Sequence, residues 1–317
     1  MLGMDLGSNT LRVALMNEKL DLLKEYEYII GAAKNLSKSK KISKEAISLL
    51  KNALYDLKNQ EIDMKNVNAV ATAAFRKAIN TKEIFDEIYS EFNIKFKTID
   101  AKEEARLSVL GMKHGLSKLG LYANNLAYCD LGGASCEVSF KNFSKSFDFG
   151  IISFYERSLK YISKKYNDFN LNTKTRDKKF KLYGLIKDDR LRAMAILAFK
   201  ESANAKSFLK KYKCKTVILN SGVPTAIVAL KQGLEYSEYQ SSLINGKELY
   251  AGDFLHFAIK LYNMSEEKAA LLLGKKRKNY IVAGCFLLYA LFEKQKLIVI
   301  DEGIREGLCI DFYNKHK

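Results

Sequence analysis

The sequence predicts an α/β protein made of two similar units that face each other across a cleft, and three observations carry that prediction. A short phrase occurs twice, as Asp5-Leu6-Gly7-Ser8-Asn9-Thr10 and as Asp130-Leu131-Gly132-Gly133-Ala134-Ser135. Each copy lies between two apolar runs, so each reads as strand, tight glycine turn, strand. Strand-like and helix-like patterns then alternate after each copy, the order expected of an α/β fold. Finally, 317 residues of which 48% are hydrophobic suffice for two cores.

Taken in order, residues 2–30 read as two or three strands joined by turns, followed by helical spacing from Ser43 to Leu57 with Ser43 as its N-cap. Val67 to Thr72 reads as a strand running into the segment Ala73 to Asn80. A helix is expected over Thr81 to Phe92, a strand over Lys95 to Ile99, and a helix from the pair Glu103-Glu104 to about Gly115. The second hairpin, Asn125 to Phe147, opens the second unit. Helical stretches follow over Phe154–Lys164 and Lys178–Lys213, then a strand from Thr216 to Asn220 that ends in Ser221-Gly222-Val223-Pro224-Thr225 before a helix beginning near Ala226. Helices over Ala251–Tyr262, Ser265–Leu273 and Tyr280–Phe292 and a strand over Leu297–Ile300 complete the pattern. No low-complexity linker separates the halves, so short hinges and a cleft between the units are expected.

The repeated turn suits phosphate. Glycine lets the backbone approach closely, the hydroxyl and amide side chains and backbone N–H groups are donors, and the leading carboxylate can hold a hydrated divalent cation. An ordinary hairpin is the alternative for either copy alone, and the same Asp at the same place in both argues against it.

The net charge of +17 is compatible with nucleic acid, membrane phosphates or a polyanionic substrate. Its lysines are spread over the chain, as in Lys34–Lys44 and Lys174–Lys181, without aromatics regularly interleaved on one face, which reads as solvated helix surface. What remains is a general attraction for anions, with Lys210–Lys215 and Lys275–Lys278 as candidate contacts; no nucleic-acid partner is expected. The apolar runs are short and no charged-then-apolar leader opens the sequence, so a soluble cytoplasmic protein without a membrane partner is expected. Five scattered cysteines suggest neither a disulfide framework nor a zinc site. His114, His256 and His316 lack partner spacing and are given no role.

The ordered set Asp5-Leu6-Gly7-Ser8-Asn9-Thr10 with Arg12, Thr72-x-Ala74-x-Arg76-x-Ala78-x-Asn80, Glu103-Glu104-Ala105-Arg106-Leu107, Asp130-Leu131-Gly132-Gly133 with Ser135 and Glu137, Gly222-x-Pro224-Thr225, and Asp301-x-Gly303-x-Arg305-Glu306-Gly307 resembles the exopolyphosphatase and guanosine pentaphosphate (pppGpp) phosphohydrolase family. The resemblance runs over essentially the full sequence and is to a short form without the C-terminal helical domain of longer members. It implies the two-domain fold shared by actin, sugar kinases and heat-shock ATPases, which is ribonuclease H-like, with an interdomain cleft. On that reading residues 1–121 plus 303–317 form the first domain and 122–302 the second, the segment after Gly303 crossing back.

The resemblance also implies roles. Glu104 matches the family's catalytic glutamate, which orients and deprotonates water, with Glu103 the second choice; as a bare pair the two carboxylates could equally serve a helix N-terminus. Arg76 matches the family arginine that pairs with phosphate, a surface ion pair being the alternative. Gly7, Ser8, Asn9, Thr10, Gly132, Gly133, Ala134, Ser135, Gly222 and Thr225 are the implied phosphate contacts. Asp130 and Glu137 resemble the metal-associated acids, with Asp5 a third contributor, although Glu137 also reads as an ordinary strand carboxylate. Magnesium is the expected ion, with manganese able to substitute. Two positions depart from the family: Ala134 replaces a glycine and Cys136 a threonine.

The implied activity is magnesium-dependent release of phosphate from inorganic polyphosphate or from pppGpp, in a protein the resemblance suggests is a homodimer. A kinase or ATPase of the same fold and a non-catalytic polyanion-binding protein are the alternatives. A kinase needs a base aimed at an acceptor hydroxyl, which Glu103-Glu104-Ala105 does not suggest, and a scaffold protein would release no phosphate.

Overall fold

The computed structural model describes residues 1–62, 64, 67–121, 125–165, 186 and 188–316. Strands β1 (Leu2–Leu6), β2 (Thr10–Met16) and β3 (Leu22–Ile29) form an antiparallel meander, to which β4 (Val67–Ala71) and β5 (Phe96–Thr98) add in parallel, giving the order β3-β2-β1-β4-β5. The second sheet repeats it with β6 (Leu126–Leu131), β7 (Cys136–Phe140), β8 (Phe143–Phe147), β9 (Thr216–Asn220), β10 (Glu248–Leu249) and β11 (Lys296–Val299). Its order is β10-β11-β9-β6-β7-β8. Read from β8, an antiparallel meander again leads into parallel strands, with β10 as an extra antiparallel edge. The duplicated phrase therefore marks a duplicated sheet, the architecture of the actin-like fold.

The connections are helical: α1 (Leu36–Ser39), α2 (Lys44–Asn59), α3 (Ala73–Lys77) and α4 (Thr81–Phe92) in the first unit, and α6 (Ile151–Lys165), α7 (Asp189–Glu201), α8 (Ala203–Lys211), α9 (Gly222–Gln232), α10 (Ser241–Ile244), α11 (Ala251–Tyr262), α12 (Glu266–Leu273) and α13 (Lys278–Leu291) in the second. Ser43 caps α2 as its sequence predicts, accepting from the Ala46 N–H. The helix expected over Lys178–Lys213 is broken at Ser202 into α7 and α8, and its part before Ile186 lies outside the described residues, as does Lys174–Lys181.

Two helix boundaries differ from the sequence reading. Helix α5 (Ala101–Lys118) begins two residues before Glu103, because the Asp100 carboxylate accepts the Glu103 N–H. Helix α9 begins at Gly222 rather than near Ala226, since proline is tolerated in a first turn and Pro224 lies inside it.

Helix α5 and the last helix, α14 (Ile304–His316), tie the units together. Helix α5 packs its Met112 and Leu116 with Leu126, Tyr128 and Ile218 of the second sheet, while Leu107, nearer its start, joins Val70, Ile304 and Leu308. Helix α14 lies over β1 and α5 at backbone distance. A Cβ at Gly111 would fall 2.1 Å from the Gly303 carbonyl oxygen, and one at Gly307 equally close to that of Leu107. No helix among the described residues is long and apolar enough to cross a membrane.

Candidate active site

The two glycine turns meet head to head. In each, the N–H of the first glycine closes the turn: Gly7 donates to the Thr10 carbonyl (2.8 Å) and Gly132 to that of Ser135 (3.0 Å). A Cβ on Gly133 would lie 2.8 Å from the Cβ of Ser8, so the contact between the turns requires glycine. The first turn is backed by Ile30 and Gly31, whose N–H groups donate to the Asn9 carbonyl, and by Ala33, whose N–H donates to that of Ser8. Among the described residues the N–H groups of Ser8, Asn9, Gly133 and Ala134 make no hydrogen bond within the protein.

The strand register sets what stands behind each turn. Asp5 pairs with Arg12 across β1–β2, and Asp130 pairs with Glu137 across β6–β7. The Ser108 hydroxyl donates to Asp130 (2.8 Å), and the Ser146 hydroxyl to Glu137 (2.7 Å). Glu104, from α5, completes the group, accepting from Arg76 Nη1 at 2.5 Å. Burial, then the repulsion of Glu104 and Asp130, raises Asp5 and Glu137 each to about 8, while burial alone raises Asp130, against the Ser108 hydrogen bond and Arg12. Burial lifts Glu104 to about 7, with Arg76 opposing and Asp130 adding.

Two buried side-chain oxygens lack a hydrogen-bond partner among the described residues, Asp5 Oδ1 and Ser221 Oγ, and both residues line this cleft. Such an atom costs about 1–3 kcal/mol. Ser221 is also held at φ 121°, a conformation L residues rarely adopt, at the N-terminus of α9. Orphaned polarity and strain gathered in one cleft are the mark of a place built for a ligand.

The structure brings Asp5, Gly7, Ser8, Asn9, Thr10, Glu104, Asp130, Gly132, Gly133, Ser135, Glu137 and Gly222 to the cleft wall. Four other predicted residues are placed elsewhere. Glu103 is on the outer face of α5, bound by both oxygens to Arg106 at 2.7 Å, a hydrogen bonding that lowers its carboxyl. Thr225 is turned away because α9 starts early; its hydroxyl donates to the Ser221 carbonyl (3.0 Å) and it lines a neighbouring cavity. The Ala134 methyl is buried. Arg76 gives its guanidinium to Glu104 and to the Ile99 carbonyl (2.8 Å), on the wall of an outer groove.

Sequence reasoning gave no role to Thr72, Asn220, Ser221, Arg12 or Arg305 and gave Arg277 only a general part in an anion-attracting cluster, yet all are on the cleft wall. Arg12 and Arg305 stood inside quoted motifs, and Arg277 inside the Lys275–Lys278 cluster. Arg12 binds Asp301 (2.5 Å) and Glu27 (3.1 Å), and Arg277 approaches the same Glu27 (3.3 Å), joining the two units. Burial would raise Asp301, but Arg12 and Arg305 outweigh it and hold the carboxyl below its usual range.

Among the described residues no group of three or more His, Cys, Asp or Glu side chains is placed to hold a metal ion, so Asp5, Asp130 and Glu137 do not form a closed cage. Magnesium asks for less, usually one or two carboxylates with waters and phosphate oxygens completing its shell. The free Oδ1 of Asp5 and the crowded, charge-poor Asp130 and Glu137 fit that requirement.

The profile of the Ppx/GppA phosphatase family matches residues 16–316. A curated relative, guanosine-5′-triphosphate,3′-diphosphate pyrophosphatase of Pseudoalteromonas translucida, is 26% identical over 268 residues, 81% of this chain and 46% of that protein. The chain thus spans about half the length of the curated relatives it matches. Among solved structures, the Aquifex aeolicus member of the Ppx/GppA family superposes with a TM-score of 0.70 at 21% identity, covering 100% of this chain and 98% of that one. An exopolyphosphatase from Cytophaga hutchinsonii gives a TM-score of 0.75 at 18% identity, covering 98% and 97%. At these identities the superpositions establish the fold.

Proposed function

The chain belongs to the Ppx/GppA phosphatase family, and on that premise we propose that it hydrolyses a terminal phosphoanhydride bond, releasing orthophosphate from inorganic polyphosphate or from pppGpp. The observation that carries this reading is the pair of orphaned buried oxygens, Asp5 Oδ1 and Ser221 Oγ, beside two turns with free N–H groups. The cleft offers donors for phosphate oxygens on one side and a carboxylate poised near neutrality on the other.

Hydrolysis of a phosphoanhydride asks a protein for position, charge neutralisation and an aligned water, with little covalent work. The two turns hold the terminal phosphoryl group by their N–H groups and the hydroxyls of Thr10 and Ser135. Glu104 takes the proton of the attacking water at the oxygen not given to Arg76; a pKa of about 7 suits a base working near neutral pH. Arg76 is a positioning residue that fixes the Glu104 rotamer. Arg12, Arg277 and Arg305 face the rest of the phosphate chain with their charge partly spent on carboxylates. Asp130 and Glu137, with Asp5, would hold magnesium, which when bound neutralises phosphate charge.

Phosphate release from polyphosphate, pppGpp and ATP, each with magnesium and with excess chelator, tests the proposal. Release from either of the first two that stops in chelator supports it. Release from ATP alone, or none from any substrate, overturns it.

A further inference from the structure

At the end of the second sheet away from the cleft lies a surface that the proposed hydrolysis does not use. Strand β7 leaves the site at Glu137 and reaches Phe140 about 10 Å further on, at ~3.4 Å per residue. There β8 turns back as the sheet edge, four of its five residues exposed. The turn after α8 packs beside it. Tyr212 stacks on Phe140 (4.9 Å between centroids) and on Phe143 (5.8 Å), with Phe208 edge-on at 5.0 Å. Phe143 ends this column with 60% of its surface in water.

Six exposed lysines surround the column: Lys141, Lys145, Lys210, Lys211, Lys213 and Lys215. None has a carboxylate partner among the described residues, and neither 139–147 nor 203–216 contains an Asp or Glu. Three of the six sit over the rings, Lys141 on Phe140 (5.5 Å), Lys145 on Phe147 (5.3 Å) and Lys211 on Tyr212 (5.7 Å). Lysines on an edge strand protect against edge-to-edge pairing, which accounts for Lys141 and Lys145. It does not account for Lys210–Lys215 on the neighbouring turn, nor for an aromatic column left open at its outer face.

Unpaired cations around an exposed aromatic column are what an anionic backbone carrying planar bases requires, since every base has a face to stack and every phosphate a charge to neutralise. We propose that this face binds single-stranded nucleic acid, a base stacking on Phe143 while the surrounding lysines hold the backbone. Inorganic polyphosphate would use the lysines equally and gain nothing from the ring, so the exposed Phe143 is the feature that favours nucleic acid. The expectation of no nucleic-acid partner rested on the absence of aromatics interleaved with lysine in sequence. The fold supplies that interleaving from two segments far apart in the chain.

The test measures binding of fluorescein-labelled oligo-uridylate of twenty nucleotides to the whole protein by anisotropy. With four lysines on phosphates, affinity should fall about fiftyfold between 50 and 200 mM salt. Replacing Lys141, Lys145, Lys210 and Lys211 together by alanine should flatten that dependence. Phe143→Ala should weaken the oligonucleotide about tenfold at constant salt and leave competition by a twenty-unit polyphosphate unchanged. Phosphate release should be unaltered in both variants. Should Phe143→Ala melt, Phe143→Leu removes the ring and retains apolar volume. Absent binding, binding indifferent to both variants, or Phe143 variants that leave the oligonucleotide as tight as before would overturn the proposal, the last in favour of a plain polyanion surface. Loss of phosphate release with the lysines would overturn it in favour of substrate capture.

Discussion

The turns Gly7–Thr10 and Gly132–Ser135 share register and closing hydrogen bond yet stand on opposite electrostatics. Behind the first, Asp5 faces Arg12; behind the second, Asp130 faces Glu137. Because opposed residues on one face of an antiparallel pair are neighbours, a single position across the ladder sets the sign of each hairpin. The first brings a cation that is already tied to Asp301 and Glu27, so Asp5 keeps a free oxygen. The second brings two buried acids, and Glu137 is raised by its burial and then by Glu104 and Asp130. Duplication of the backbone supplies a symmetric clamp, and one substitution on either side supplies the asymmetry that a reaction needs.

The largest expected effect removes the group that both hairpins surround. Glu104→Gln should lower turnover by about two to four orders of magnitude with the fold intact. Activity of the unaltered protein should rise with pH through about 7, as Glu104 ionises, and the residual activity of the variant should lose that limb. A pH–rate profile of both proteins checks it; near-normal turnover in the variant would remove Glu104 from the reaction.

Deleting charge from the hairpins should then act in opposite directions on stability. Arg12→Gln takes the nearest cation from the buried Asp301, leaving it Arg305 and the Tyr239 hydroxyl, and should cost about 1.5–3 kcal/mol by urea denaturation. Glu137→Gln should stabilise the metal-free protein at alkaline pH. A carboxyl raised from 4.5 to about 8 binds more protons folded than unfolded, so its ionisation erodes stability as pH rises from 4.5 through 8. The variant should therefore melt higher than the parent at pH 8.5 and level with it near pH 4. Its magnesium concentration for half-activity should rise about tenfold, as for other altered metal sites. Equal melting curves at pH 8.5 would show that the Glu137 carboxyl is not raised in the folded protein.

The smallest effect is expected just outside the clamp. Glu103→Gln should change turnover less than about twofold, since its carboxylate is spent on Arg106 at the surface. A loss comparable with that of Glu104→Gln, in the same steady-state assay, would erase the distinction between the neighbouring glutamates.

Both hairpins were legible because their information is local: an apolar run, a glycine turn and a repeated Asp fix strand, turn and facing residue together. Glu104 was legible only through its motif, as nothing in the pair Glu103-Glu104 tells which one helix α5 turns inward. Thr225 was misplaced because its direction depends on where α9 begins, and that start lies at Gly222, after a serine in strained backbone. Arg277 and Arg305 were seen as charge without an address. Their positions are set by carboxylates at Glu25, Glu27 and Asp301, reached only after the chain has folded back on itself. Lys210–Lys215 was read as a candidate anion contact, but its meeting with Phe140 and Phe143 was missed for the same reason.

The packing of α14 on β1 also bears on how this protein is made. The Cys309 thiol donates to the carbonyl of Met1, 308 positions earlier, and Gly3 leaves room for the Arg305 carbonyl. A ribosome adding 5–20 residues per second delivers that helix about 15–60 s after the strand it covers. Throughout that interval the face of the first sheet that carries Gly3 and Val70 waits for its last covering helix, and the second sheet gains its strand β11 only just before that helix emerges. Synthesis interrupted before Ile304 would leave the first unit open, a nascent chain marked for chaperone or protease by the surface its last helix should hide.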